Sequence, residues 1–160
     1  VISLHRLAPD EAERLAGLRI APGQDAFVSA GREMITDQTE GLSLHEVRGA
    51  DGDAIGMFKL DPLYHQRHDF AGTRDLGLRG FLIDSHLQGR GIGAATLAAL
   101  GDHARAEYPE FDRVVLTVNL ENTVARRAYL SAGFEDRGEL YLGGARGPQH
   151  ILWLDLRADR

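Results

Sequence analysis

Three alternating glycines at the mouth of a helix constrain this chain more than any other feature. They fall in Gln88-Gly89-Arg90-Gly91-Ile92-Gly93-Ala94, between an apolar run and an amphipathic one. Upstream, Arg74–Asp84 reads as a strand, with Phe81-Leu82-Ile83 apolar enough for burial on both faces. Downstream, Gly93, Leu97, Leu100 and Ala104 recur at helical spacing, with Ile92, Ala95 and Ala99 on the adjoining stripe. A helix is therefore expected from about Gly91 to Glu107, with Pro109 just past its end. Val114–Val118 is a second strand of the buried type. Such a strand–helix–strand unit closes as a right-handed parallel crossover. Glycines at the helix start leave backbone N–H groups bare, and the positive end of the helix dipole adds to them. A tight turn against the sheet would also use glycine, but the helix that follows favours a phosphate site.

The flanking segments are antiparallel in character. Val1–Leu7 alternates as a strand, and Pro9-Asp10-Glu11 resembles a helix start with acidic first-turn residues. Ala12 to about Met34 reads as one or two short helices broken near Pro22-Gly23. Leu42–Val47 and Ala54–Leu60 form a hairpin across Gly49–Asp53, and Asp61–Thr73 is a polar loop. Asn122 suits the N-cap of a helix over Thr123–Ala132, which Gly133-Phe134 would close as a Schellman stop. Phe134–Leu142 and His150–Leu156 make a last hairpin. The fold class is α/β: a mixed, mostly antiparallel sheet with one parallel crossover and helices on both faces.

Composition narrows the partners. The 160 residues carry 24 acidic and 18 basic side chains, a net charge of −6. A concentrated positive surface for phosphate neutralisation is missing, so no nucleic acid is expected. With no cysteine, disulfides, thiolate zinc sites and a cysteine nucleophile are excluded. Apolar runs fall short of the roughly 18 residues a membrane span needs, and Val1–Arg6 lacks the apolar core of a signal peptide. The expectation is one cytoplasmic domain over residues 1–160, with a homodimer left open. His65 and His68 have helix-face spacing, but they sit in a loop without a third ligand; a solvated loop or a substrate-facing wall suits them better than a metal.

Gly89-x-Gly91-x-x-Ala94 formally meets the dinucleotide fingerprint, with Glu121 as a candidate ribose ligand. The loop lies past mid-chain, too little chain follows for a second mononucleotide half, and the strand-to-helix interval is long. A P-loop fails because no Gly-Lys-Ser or Gly-Lys-Thr is present. The strand Phe81–Asp84 followed by Gln88-Gly89-Arg90-Gly91-Ile92-Gly93-Ala94 instead resembles the Gln/Arg-x-x-Gly-x-Gly/Ala motif of the GNAT acetyltransferase superfamily. Val114–Val118, Asn119, Asn122, Ala128, Tyr129 and Gly133-Phe134 resemble its next strand, its Asn-x-x-Ala-x-x-x-Tyr helix and its closing Gly-Phe. The likeness divides the chain into an acceptor-side half (1–73), an acetyl-CoA-binding half (74–142) and a closing hairpin (143–160).

That resemblance implies acetyl-CoA as cosubstrate and two parallel strands that splay apart. Backbone groups of Phe81, Leu82 and Ile83 would pair with the pantetheine arm. N–H groups of Gly89, Arg90, Gly91, Ile92, Gly93 and Ala94 would hold the pyrophosphate, Asn122 would contact the cofactor, and Tyr129 would protonate the departing thiolate. The general base is open. Some members carry a Glu where this chain has Leu116-Thr117-Val118; Glu121, Asp75 and His86 are the nearest alternatives by sequence.

The expected acceptor is a small-molecule primary amine. Gly23–Val28 and the Phe81–Gly89 spelling are similar to polyamine acetyltransferases, and Asp25, Glu33, Asp37 and Glu40 would suit a cation. Other acceptors, such as a protein N-terminus or an antibiotic amine, remain open. So does a non-catalytic acyl-CoA-binding module; NAD-dependent oxidoreduction is disfavoured by topology.

Overall fold

Alternating apolar residues gather seven strands into one mixed sheet. The computed structural model describes residues 1–19, 31, 35–36 and 39–157. The strands are β1 (Ser3–Leu7), β2 (Ser43–Arg48), β3 (Ala54–Asp61), β4 (Asp75–Ile83), β5 (Arg113–Asn119), β6 (Glu135–Tyr141) and β7 (Gln149–Asp155). Their spatial order is β1-β2-β3-β4-β5-β7-β6, and every neighbouring pair is antiparallel except β4–β5. Two α-helices follow the expected pattern: α1 (Ile92–Glu107) between β4 and β5, and α2 (Thr123–Ser131) between β5 and β6.

Strand periodicity sorts the core into two faces. Leu76, Leu78, Val114, Leu116 and Val118 pack with Leu97, Leu100 and Ala104 of α1. The intervening Val115 packs instead with Tyr64, Ala71, Ile151 and Trp153. Further along that second face, Met57 and Leu82 meet Leu7, Leu15 and Leu18. Pro9–Leu15 is a 3-10 helix, with Glu11 Oε1 accepting from the Ala8 N–H at 2.8 Å. Asp61–Thr73, expected as loop throughout, contains a short 3-10 turn at Tyr64–Gln66 that buries the Tyr64 ring. Gly23–Val28, Asp25, Glu33 and Asp37 lie outside the described residues.

Two local features shape the sheet centre. First, Met57 faces Leu82 while Lys59 faces Arg79, so Gly80 and Phe81 together oppose Phe58. This is a β-bulge, made possible by Gly80 at φ 62°. The extra residue inverts the side-chain parity of β4: Leu76 and Leu78 point to the α1 face before it, Phe81 and Ile83 after it. Second, β4 and β5 pair only through Asp75–Arg113, Leu76–Val114 and Gly77–Val115, and beyond Gly77 they separate. The closed end is clamped. Arg113 reaches the buried Asp75 carboxylate through two bonds of 2.9 and 3.0 Å and lies 4.2 Å over the Trp153 ring.

Beneath α1 runs a buried polar chain. Tyr108 donates to Ser43 Oγ at 2.8 Å, Ser43 Oγ lies 2.7 Å from His45 Nε2, and His45 Nδ1 lies 2.7 Å from His103 Nε2. His45 is stacked on Phe58 with ring centroids 5.0 Å apart. Burial, reinforced by the His103 and Arg6 charges, lowers its pKa to about 3.

Candidate active site

Where β4 and β5 part, a cleft of about 670 Å³ opens through the sheet. Its walls are Leu78–Ile83 on one side and Leu116–Asn119 on the other. The β5-facing peptide groups of Leu78–Ile83 have no strand partner, and a buried backbone group without one is costly unless a ligand or water supplies it. Phe81, Leu82 and Ile83 thus stand on the open edge.

The glycine loop forms one end. Gly89 and Gly91 have φ of 83° and 76°, a region L side chains rarely adopt, although an added Cβ would meet nothing within 4 Å at either. These glycines therefore serve backbone conformation, not crowding. Gly93 is helical, and a Cβ there would lie 3.9 Å from Ile83 Cγ1, with no closer neighbour. Gly91 caps α1 without a side-chain hydrogen bond, and the first turn holds no acidic residue. Its free N–H donors and dipole thus face the cleft uncompensated. Gln88 closes the loop by donating to the Ile83 carbonyl at 3.2 Å. Gly89, Gly91, Ile92 and Gly93 line the cleft; Arg90 and Ala94 do not.

Opposite the loop, α2 presents Asn122 and Tyr129. Asn122 Oδ1 accepts from the Ala125 N–H at 3.3 Å, the expected N-cap. At the other end Gly133 (φ 105°) completes the Schellman stop, with Gly133 N–H donating to Leu130 and Phe134 N–H to Tyr129, both at 3.1 Å. That stop fixes the tyrosine, since the Phe134 ring packs edge-on against it at 5.4 Å and Phe81 holds its other side at 6.1 Å. The Tyr129 hydroxyl has no hydrogen-bond partner among the described residues, and burial pushes its pKa above the ordinary phenol range. It stays protonated.

None of the three sequence-nearest bases reaches the cleft lining. Asp75 is committed to Arg113 at the closed end, Glu121 is exposed beside Asn119, and His86 is exposed beside Asp84. Instead, Tyr64, His68 and Tyr141 form an aromatic wall. The Tyr64 ring lies against Gly77, where a Cβ would come within 2.1 Å of it. His68 packs on Tyr64 with centroids 4.1 Å apart and edge-on to Tyr141 at 5.0 Å. Sequence reasoning left His68 as either a solvated loop residue or part of a substrate-facing wall, and gave no role to Tyr64 or Tyr141. Alternation carries no signal for residues contributed by a loop and a distant hairpin. Among the described residues no group of three or more metal-ligating side chains gathers, and no helix is long and apolar enough to cross a membrane.

Comparison with known proteins agrees with this geometry. The sequence model described as "Acetyltransferase (GNAT) family" matches residues 12–134. A "Probable spermine N(1)-acetyltransferase" of Bacillus subtilis subsp. natto (strain BEST195) is 29% identical over 149 residues, covering 91% of this chain and 95% of that protein. A "Spermine/spermidine N(1)-acetyltransferase" of Bacillus subtilis (strain 168) is 28% identical over the same shares. Among solved structures, a mutant spermidine N-acetyltransferase from Vibrio cholerae superposes with a TM-score of 0.70 at 16% identity, over 97% of this chain and 94% of that one. An aminoglycoside acetyltransferase in complex with coenzyme A gives 0.73 at 17%, over 97% and 95%. At those identities the structural likenesses establish the fold.

Proposed function

The chain belongs to the GNAT acetyltransferase family, and from that premise we propose that it acetylates a primary amine of a polyamine. It is an N-acetyltransferase, with acetyl-CoA as cosubstrate. One observation carries the site assignment: the unpaired edge of β4 runs from an uncapped helix N-terminus to a protonated, unpartnered tyrosine within a single cleft. The acceptor class rests on the two relatives that cover 91% of the chain.

Each chemical demand of acetyl transfer then has a group. Loop N–H donors at Gly91, Ile92 and Gly93 take the pyrophosphate charge. The open edge at Phe81–Ile83 aligns the pantetheine amides, replacing water by fixed donors and acceptors. Where the acetyl carbonyl gains negative charge, an N–H on the β4 edge that β5 leaves unpaired supplies a donor that needs no reorganisation. Tyr129 gives its proton to the leaving sulfur; a phenol held protonated by burial is a competent acid for a thiolate whose own pKa is about 8.5. Asn122 holds the start of α2 against the cofactor side.

An acceptor panel tests the assignment. Thiol release from acetyl-CoA is followed with spermine, spermidine, an aminoglycoside and a peptide bearing a free N-terminus. The polyamines should exceed the others by at least tenfold in kcat/KM. A preference for the aminoglycoside or the peptide replaces the polyamine reading, and binding of acetyl-CoA without turnover of any amine indicates a non-catalytic module.

A further inference from the structure

Acetylating an ammonium sheds two protons from nitrogen. One ends on the thiol sulfur; the other needs an acceptor, and Tyr129, which is held protonated, is not one. No carboxylate among the sequence-nearest candidates lines the cleft. His68 does.

The His68 imidazole is held from three sides. Its backbone N–H donates to the Tyr64 carbonyl at 3.0 Å, and its own carbonyl accepts from Ala71 at 3.2 Å, which locks the turn. Tyr64, Phe70 and Tyr141 pack its ring at 4.1, 5.3 and 5.0 Å. Nδ1 is enclosed among these rings without a hydrogen-bond partner, whereas Nε2 is neither buried nor bonded. Charge around the ring is largely spoken for. Asp61 at the end of β3 is bound by Arg67 at 2.7 Å and by Arg79 of β4 at 3.4 Å, and Asp69 is exposed on the same turn as the histidine. Tyr64, whose pKa burial pushes above the ordinary phenol range, contributes only a neutral ring near neutral pH.

We propose that His68, through Nε2, accepts the proton that the ammonium must lose before its nitrogen can bond to the acetyl carbon; the second proton leaves as that bond forms and, through water, restores the Tyr129 phenol that has protonated the sulfur. The assignment rests on the acetyltransferase reading above. The enclosure also sets which form of the ring is at rest. To accept at Nε2 the resting ring carries its single proton on Nδ1, among the aromatic rings, and burial together with Arg79 lowers the pKa below the ordinary histidine value, so the ring is neutral at rest. The neutral ring waits for a proton, then passes it from Nε2 to water. Placement agrees with this task. Tyr64 and His68 approach from the face opposite α1 and α2, so Tyr129 and His68 serve the split from its two sides. One supplies the sulfur with a proton and the other relieves the nitrogen of one.

The test compares wild type with His68→Gln, which keeps a polar side chain, and His68→Phe, which keeps the ring stack. At pH 7 with spermidine, both should lose roughly 10²–10⁴-fold in kcat, the span of a positioned general base, with acetyl-CoA affinity unchanged by calorimetry. The deficit should shrink as pH rises toward the amine pKa, and added imidazole should restore part of the turnover of His68→Ala. Turnover of both His68→Gln and His68→Phe within threefold of wild type, or a loss that neither pH nor imidazole relieves, overturns the proposal. A second measurement needs no variant: in an NMR titration of the wild type, the His68 ring should be neutral at pH 7, and a protonated ring there also overturns it. Failure of the wild type to acetylate any amine would instead strike the functional reading, and the two failures are distinguishable.

Discussion

Tyr129 is packed on both sides of its ring, yet its hydroxyl has no hydrogen-bond partner among the described residues. Its ring is held by Phe81 and Phe134, so the hydroxyl is aimed by packing and not by a hydrogen bond. Tyr129→Phe deletes one oxygen from a ring whose contacts remain. The melting temperature and acetyl-CoA affinity should barely move, while kcat falls about 10²–10⁴-fold if the phenol is the general acid. The loss belongs in kcat because the interaction matters as the thiolate forms. Burial raises the phenol pKa, so any alkaline limb from this group in the wild type should lie above the usual tyrosine value of about 10. A structural tyrosine would give lower stability and near-normal kcat. Steady-state kinetics beside a thermal melt separates the two.

At the level of elements, the site is assembled from places where regular structure is interrupted. The bulge inverts the parity of β4, the strand split frees an edge, and the uncapped start of α1 frees a set of N–H groups. The Gly91 and Gly93 positions do different things, and a clean test should use the second. Gly91 sits at φ 76°, so any side chain strains the loop itself. Gly93 is helical, and an added Cβ would meet only Ile83 Cγ1 at an ordinary contact distance of 3.9 Å, so Gly93→Val should leave folding stability within about 1 kcal/mol. Its branched side chain would nonetheless occupy the mouth of the cleft. Acetyl-CoA Kd should rise at least tenfold while the melting temperature holds; unchanged affinity by calorimetry would remove the N–H cradle from this loop.

Across the molecule, the sheet is tied at the closed end of the split and ionically sensitive beneath α1. The Asp75–Arg113 pair joins the same two residues that begin the parallel register, so the strands separate from a fixed hinge point. The buried histidines set an acid limit. His45 has a folded pKa of about 3 against an unfolded value near 6.5, so the unfolded chain binds the extra proton. The associated stability is present above pH 6.5 and is lost as pH falls from there toward 3, by up to about 1.4 kcal/mol per pH unit. His103, lowered in the same direction, adds to the slope. Melting temperatures between pH 7 and 4.5 should therefore fall, and His45→Gln should flatten the decline. An unchanged slope in that variant would assign the acid sensitivity to other groups, such as the Arg126-bound carboxylate of Asp136.

What the sequence determined by itself was everything carried by neighbours along the chain. The glycine loop, the strand before it, the Asn122 cap and the Gly133-Phe134 stop are each specified within a few residues, so spacing placed these elements, and the resemblance they carry pointed to an acetyl-CoA-binding half and to Tyr129. The Gly80 bulge left a trace too, since the apolar positions shift from Leu76 and Leu78 to Phe81 and Ile83; only pairing with β3 shows that two residues there oppose one. The proton acceptor was out of reach. Proximity in sequence pointed to Asp75, Glu121 and His86, and folding took all three away from the cleft, one into an ion pair and two to the surface. Tyr64, His68 and Tyr141 meet at the split from a loop and the β6–β7 hairpin, far apart along the chain. Such a meeting follows from how the sheet closes, which only the tertiary structure decides.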